Sequence, residues 1–174
     1  MKLYKKIKVG IDSPSAAGAG TISKMIAKHF NLLYCDTGKV YRFLAKSILT
    51  SKPKDNYIHL KKISKKVNLK KLQDKSLLTD EVALVASQIA KDLKIRKLVV
   101  KFQKDLAYHP PKKFNGSILD GRDINSKIIK DADFKFYITA SLECRTKRRF
   151  LELKKLGKKA KYREVFNSIK KRDR

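Results

Sequence analysis

The stretch Ile7-Lys-Val-Gly-Ile-Asp-Ser-Pro-Ser-Ala-Ala-Gly-Ala-Gly-Thr21 decides how this chain folds. Its first five residues are β-rich, Asp12 to Gly20 is a loop of small residues, and from Thr21 onward Ile22, Met25, Ile26 and Phe30 recur at helical spacing. Leu32 to Cys35 then reads as a second buried strand, so the chain opens with a strand, a loop, a helix and a strand. In that arrangement loop N–H groups converge on a phosphate, and the helix N-terminus adds partial positive charge. A tight strand-to-helix turn without a ligand is the alternative.

Against the phosphate-loop pattern G-x-x-x-x-G-K-S/T, Gly18 fits, but Ser13 stands at the first glycine and Ala19 at the lysine. Gly20 takes the hydroxyl position, with Thr21 one residue later. The missing ammonium normally bridges the β- and γ-phosphates, so its loss slows transfer more than it weakens binding, which rests on backbone donors. Lys24 lies one turn into the helix and is expected to point away. Arg145, Lys147, Arg148 and Arg149 are the candidates to approach from a lid.

Outward from this unit, a helix is expected from Lys39 to Leu49, and Ser51 to Ser76, lysine-rich with weak periodicity, reads as a variable insertion. Thr79-Asp80-Glu81 starts a helix whose apolar face is Val82, Val85, Ala86 and Ile89. Ile95, Leu98, Val99, Phe102 and Leu106 form another stripe, which stops before Pro110-Pro111. Ser117 to Leu119 and Phe134 to Ile138 read as core strands; Ser141 caps a basic helix through Leu156, and Tyr162, Val165, Phe166 and Ile169 mark the last helix. Strands alternating with helices argue for an α/β fold with a parallel central sheet flanked by helices and ligand sites at the carboxyl ends of its strands.

A length of 174 residues with 42% hydrophobic side chains suits one domain, 1–174. The formal net charge of +28 comes mostly from lysine, since only nine of the 44 basic residues are arginine. The lysines are scattered between apolar positions, which fits compositional bias as well as a binding patch. A basic nucleic-acid-binding protein therefore stays open as an alternative. Cys35 and Cys144 form no disulfide framework, and with His29, His59 and His109 they show no metal-ligand spacing. A cytoplasmic setting is expected, with no signal peptide and no membrane anchor.

Two further groups carry chemistry. Tyr34-Cys-Asp-Thr-Gly-Lys-Val-Tyr-Arg42 leaves a strand end and enters a helix, bringing Asp36, Thr37, Tyr41 and Arg42 to the binding edge of the sheet, where Arg42 suits a bidentate phosphate contact. Asp120-Gly-Arg-Asp123 also follows a strand; its acids suit Mg2+ or a sugar hydroxyl, and Arg122 suits phosphate. A capped helix with an exposed arginine and a purely structural turn are the respective alternatives. Arg145, Arg148 and Arg149 share one helix face and repel one another unless anions visit, a solvated basic face being the bland reading.

Taken in order, these segments resemble the bacterial cytidylate kinases, members of the P-loop nucleoside monophosphate kinases. Ile11 to Thr21 is similar in register to the family's I-D-G-P-A-G/A-S-G-K-S/G-T, with Thr21 at the hydroxyl position, Ala19 for the lysine and Ser13 for the first glycine. Tyr34 to Arg42 matches Y-L-D-T-G-x-M-Y-R, and Leu119 to Ile124 matches L-D-G-R-D-I. Leu78, Glu81, Val82, Ala86, Ser87, Ile95, Arg96, Leu98 and Gln103 echo the intervening segments. Asp131, Ala132, Lys135, Tyr137, Ala140, Ser141, Arg145, Arg148 and Arg149 echo the later one, with Lys130 in place of a proline.

The resemblance implies an NMP-binding region over roughly 37–110, a short lid over roughly 145–163, and transfer of the γ-phosphoryl of ATP to CMP or dCMP. It implies that ATP lies on Ser13, Pro14, Ser15, Ala16, Ala17, Gly18, Ala19, Gly20 and Thr21, with Thr21 also serving Mg2+. It implies that CMP is met by Asp36, Thr37, Tyr41, Arg42, Ser87, Arg96, Arg122, Asp123 and Arg172. Within that set Ser87, Arg122 and Asp123 would read the cytosine, and Arg42 and Arg96 would hold the α-phosphate. Arg122, Arg145, Arg148 and Arg149 would be catalytic. A monomer is expected, with no specific nucleic acid and no membrane partner. Family members continue past the last helix into a final strand and helix that this sequence lacks. A nucleotide-binding relative or fragment with little catalysis is the alternative that Ala19 raises.

Overall fold

The computed structural model describes residues 5–173. Four strands, β1 (Ile7–Asp12), β2 (Leu32–Asp36), β3 (Gly116–Gly121) and β4 (Phe134–Tyr137), form one sheet in the order β2-β3-β1-β4. Every pairing is parallel, which requires crossover connections and places all carboxyl ends on one side. The α/β expectation is met.

Alternation along β3 serves two cores. Ile118 packs with Val9, Ile11 and Leu32 against helix α1 (Ala19–Phe30), while Leu119 packs with Cys35, Ala107, Ile124 and Ile129 on the opposite face. Helices α2 (Thr37–Ser51), α3 (Asn56–Ser64), α4 (Asp80–Ile89) and α5 (Leu93–Tyr108) build a third core from Val40, Leu44, Leu60, Val82, Ile95 and Val99. Helices α6 (Leu142–Lys155) and α7 (Tyr162–Asp173) pack on each other, and Gly157 at φ 70 turns the chain between them. As expected, Ser141 caps α6, its hydroxyl accepting from the Cys144 N–H at 3.2 Å. Among the described residues no helix is long and apolar enough to cross a membrane.

The segment 51–76, weakly periodic in sequence, is folded: α3 and two 3-10 turns bury Leu60, Val67 and Leu72, and Leu77 just past the segment. Two readings of the sequence need correction. Helix α1 exists, but its buried face is Ala19, Ser23 and Ala27, spaced by four; Met25 is 67% exposed, and Ile22 and Phe30 are exposed too. Small side chains let this helix lie close to the sheet. Finally, β4 is no core strand. Among the described residues it lies at the sheet edge and pairs with β1 alone, and all four of its residues are exposed.

Candidate functional site

Three neighbouring strands end in carboxylates: Asp12 on β1, Asp36 on β2 and Asp120 near the end of β3, the last two in register. Each does a different job. Asp12 accepts from the Ile124 N–H at 2.6 Å and the Asn125 N–H at 3.1 Å, capping a single π-helical turn (Ile124–Ile128) and anchoring the loop that carries Arg122 and Asp123. Asp123 takes a left-handed φ of 59, a conformation Asp tolerates better than most residues. Asp36 caps α2 by accepting from the Lys39 N–H at 3.3 Å. Asp120, 6% exposed, accepts from the Tyr34 hydroxyl at 3.1 Å. Burial first, and then the charge of Asp36, raises its pKa to about 7. Burial and the same two carboxylates raise the Tyr34 phenol well above its ordinary range, so it stays a donor.

Between β1 and α1 the loop reverses its backbone at Ala16, φ 62, and Gly18, φ 98. The second value suits glycine alone, and a Cβ there would also stand 3.3 Å from Arg148 Nη1. Among the described residues, the N–H groups of Ser15, Ala16, Gly18, Ala19 and Gly20 donate to no backbone or side-chain acceptor. The loop carbonyls, by contrast, are engaged: Pro14 O with the Ala17 N–H, and Gly18 O with the Thr21 and Ile22 N–H groups. Ser15 O accepts from Arg145 at 3.2 Å and Ala17 O from Arg148 at 2.9 Å. A ring of unpaired N–H donors at a helix N-terminus is an anion cradle. Ser13 closes its base, its N–H donating to Gly121 O at 3.0 Å. Thr21 is exposed in the first turn of α1, and Ala19 is buried among Val9, Ile11, Ala27 and Ile118.

Across from the cradle, Thr37 is buried and its hydroxyl donates to Asp120 O at 2.8 Å, tying the ends of β2 and β3 together. Gly121 is required there, since a Cβ would fall 2.1 Å from that hydroxyl oxygen. Tyr41 packs on the α2–α5 core, and burial raises its pKa against the opposing influence of nearby Arg96. Arg42 donates to Leu77 O at 2.9 Å. Ser87 donates to Leu84 O at 2.7 Å, within α4. Arg96 and Asp123 form a 2.7 Å ion pair, with Lys127 on the same carboxylate oxygen at 2.9 Å.

The arginines then converge. Arg122 donates to Arg172 O at 2.6 Å, and Arg145 meets Asp173 at 2.6 Å while donating to Ala140 O at 2.9 Å. Burial, followed by the charges of Arg122, Arg42 and Arg149, lowers the pKa of Arg172. Arg42 is lowered by burial, opposed by Asp36 and lowered further by Arg149. Protein carboxylates offset part of this charge, Asp173 lying 3.8 Å from Arg122 and Asp80 3.7 Å from Arg149, and a phosphate suits what is left. The arginine triplet of α6 thus divides: Arg145 and Arg148 seat on the phosphate loop, and Arg149 joins the cluster while pairing with Glu152 at 2.8 Å.

Sequence reasoning missed the anchoring by Asp12 and the Tyr34–Asp120 pair. Their signal was positional: a carboxylate at the end of each of three parallel strands. Among the described residues no three His, Cys, Asp or Glu side chains gather as a metal cage. Thr21 and Asp120 are oxygen donors of the kind that suits a hard cation arriving with a polyphosphate and most of its water. Cys35 is buried, which pushes its thiol up to about 12, and Cys144 is half-buried; neither has the setting of a nucleophile.

A sequence-family model described as Cytidylate kinase matches residues 9–174. The chain is 38% identical over 166 residues to a cytidylate kinase of Bartonella bacilliformis, an alignment that covers 95% of this chain and 75% of that protein. It is 36% identical over 186 residues to a cytidylate kinase of Caldicellulosiruptor saccharolyticus, with 97% and 79% covered. To a cytidylate kinase of Sinorhizobium medicae it is 39% identical over 166 residues, with 95% and 76% covered.

Proposed function

This chain belongs to the cytidylate kinase family, and from that premise we propose how its residues transfer the γ-phosphoryl group of ATP to CMP or dCMP, giving CDP or dCDP. A phosphate oxygen of the monophosphate forms a bond to the γ-phosphorus as the bond from that phosphorus to the β–γ bridging oxygen breaks, and ADP leaves. No covalent intermediate is needed; positioning and charge stabilisation supply the acceleration. Family membership does not favour a binding-only relative or a nucleic-acid-binding protein.

ATP lies along Ser13 to Thr21, its phosphates on the free N–H groups of the loop. The metal that accompanies ATP would be Mg2+, held on the protein side by the Thr21 hydroxyl, and it would supply positive charge to offset that of the phosphates. The monophosphate occupies the region 37–110 together with Arg122, Asp123 and Arg172. Arg42 and Arg96 hold its phosphate, Ser87, Arg122 and Asp123 read the base, and Asp36, Thr37 and Tyr41 shape the pocket. Arg145, Arg148 and Arg149 close from a lid at 145–163. Two of those roles require rearrangement, because Arg96 and Asp123 are paired with each other and must part to meet different ends of the nucleotide. The protein acts as a monomer in the cytoplasm, its lid and acceptor region moving as substrates bind.

One observation carries this reading beyond family membership: a loop whose N–H groups have no acceptor among the described residues, with Arg145 and Arg148 seated on its carbonyls. The test is chromatographic detection of ADP and CDP from MgATP and CMP, with UMP as the alternative acceptor and Arg122→Ala as the control. CDP formation that the control abolishes is expected. ADP released without CDP, or CDP formed equally by the control, would reject the assignment.

A further inference from the structure

In this chain Ala19 stands where the phosphate loop carries its lysine, and the place is not vacant but filled. Ala19 is 6% exposed and packs with Val9, Ile11, Ala27 and Ile118. The charge such a lysine supplies to the β- and γ-phosphates must then come from another element. Lys24 leans over the Tyr34 ring, its ammonium 6.0 Å from the ring centre, and its charge acts on Asp120, with no bond to the loop among the described residues. Arg145 reaches the loop, but its guanidinium is buried and divided among Ser15 O, Ala140 O and Asp173. Arg149 faces Glu152 and Asp80.

Arg148 differs from all three. One Nη donates to Ala17 O at 2.9 Å and stands 3.3 Å from where a Cβ on Gly18 would be, directly over the turn of the cradle. No carboxylate pairs with it among the described residues, and the residue as a whole is exposed. A guanidinium has five N–H donors in a fixed fork, so one bond to the loop leaves the rest for an arriving anion. Arg145, locked by its three partners, sets the angle at which α6 meets the loop.

We propose that Arg148 replaces the phosphate-loop lysine of this chain, its guanidinium held on the loop before substrate arrives and meeting the β- and γ-phosphates of ATP. This rests on the kinase reading above for its catalytic half, and on loop geometry alone for its binding half. Arg148 is thus a catalytic residue of the loop delivered by another element, and Arg145 is a positioning residue.

Arg148→Gln tests this, because glutamine keeps an N–H donor for Ala17 O while removing the charge. With the melting temperature unchanged, kcat for CDP formation is expected to fall about 100- to 1000-fold, as when one preorganised electrostatic donor is removed. KM for CMP should move less than about threefold, and Arg148→Lys should recover part of the rate, since it restores the charge but not the fork that spans loop and anion. Calorimetric titration with inorganic tripolyphosphate, which needs no acceptor and no turnover, should show at least about tenfold weaker binding to Arg148→Gln, the loss of one charge-assisted contact. Equal tripolyphosphate affinity in parent and variant overturns the proposal, as does a kcat within about threefold of the parent. A parent that makes no CDP, yet binds tripolyphosphate through Arg148, removes the kinase reading and leaves the anion seat. Finally, Ala19→Lys turning over more than about tenfold faster than the parent would show the lysine place to be usable and unfilled, and would also overturn it.

Discussion

The two sides of the site solve one problem by different means. On the phosphate-loop side, two residues of the motif, Ser13 and Ala19, depart from the pattern, yet the path of the backbone is retained: left-handed turns at Ala16 and Gly18, and five N–H groups left without acceptors. On the acceptor side, Tyr34 to Arg42 and Leu119 to Ile124 keep the residue types, and nearly every polar group there has a partner before any ligand arrives. Recognition by backbone tolerates exchange of side chains as long as φ and ψ survive. Recognition by guanidinium and carboxylate does not, because no neighbour carries the same chemistry.

That contrast is broken most severely on the acceptor side. Arg122→Ala removes a guanidinium from the cluster and a bond to Arg172 O, and kcat/KM for CMP should fall by roughly 1000-fold or more, read by steady-state kinetics. A loss below about tenfold would place base and phosphate recognition elsewhere.

Asp120→Asn sharpens the difference in another observable. The folded pKa of about 7 lies above the ordinary 3.8, so the folded state keeps a proton that the unfolded state releases. Stability therefore falls as pH rises between those values and levels off above them, by roughly 4 kcal/mol at most. Asparagine still accepts from the Tyr34 hydroxyl and does not titrate. Denaturant melts should lose this slope, and the variant should be the more stable of the two at pH 8.

Asp12→Ala probes the link between the sides, for its carboxylate begins the phosphate loop and caps the acceptor loop. Two N–H groups lose their acceptor, and stability should drop by about 2 kcal/mol in urea titrations. KM for CMP should rise more than KM for ATP, since the capped turn follows Arg122 and Asp123. Smallest is Gly18→Ala, where the φ of 98 costs about 1 kcal/mol and the new methyl crowds Arg148. KM for ATP should rise, with CMP binding by calorimetry unaltered.

Most of the architecture was legible because it depends on local signals: alternating strands and helices, the Ser141 and Thr79 caps, Gly157, and the stop before Pro110. Helix α1 was found for the wrong reason. Its bulky residues Ile22, Met25 and Phe30 share helical spacing, but the face against the sheet is Ala19, Ser23 and Ala27, since close approach rewards small side chains, which hydrophobic periodicity undervalues. The standing of β4 was hidden as well, because an aromatic, β-branched string reads the same at an edge as in the middle of a sheet. In the site, residue types were legible and pairings were not. No spacing rule joins Asp12 to Ile124 or Arg148 to Ala17, residues more than a hundred positions apart that the parallel crossovers bring together.

Strand β4 also bears on how this protein behaves in a tube. Among the described residues no strand pairs with its outer edge, where Phe134, Phe136 and a Tyr137 that is 70% exposed make a template on which a copy of the same strand can pair. Lys135 sits in the middle of that string, and the chain as a whole carries +28. Colloidal repulsion between like-charged molecules is therefore the guard on the edge, and it is a guard that dissolved salt dismisses. The screening length shrinks from about 10 Å at 0.1 M to about 3 Å at 1 M, while the aromatic strand is left as sticky as before. Light scattering should report growing particles as salt is added, an order opposite to the salting-in that a chain held together by charge pairing would show.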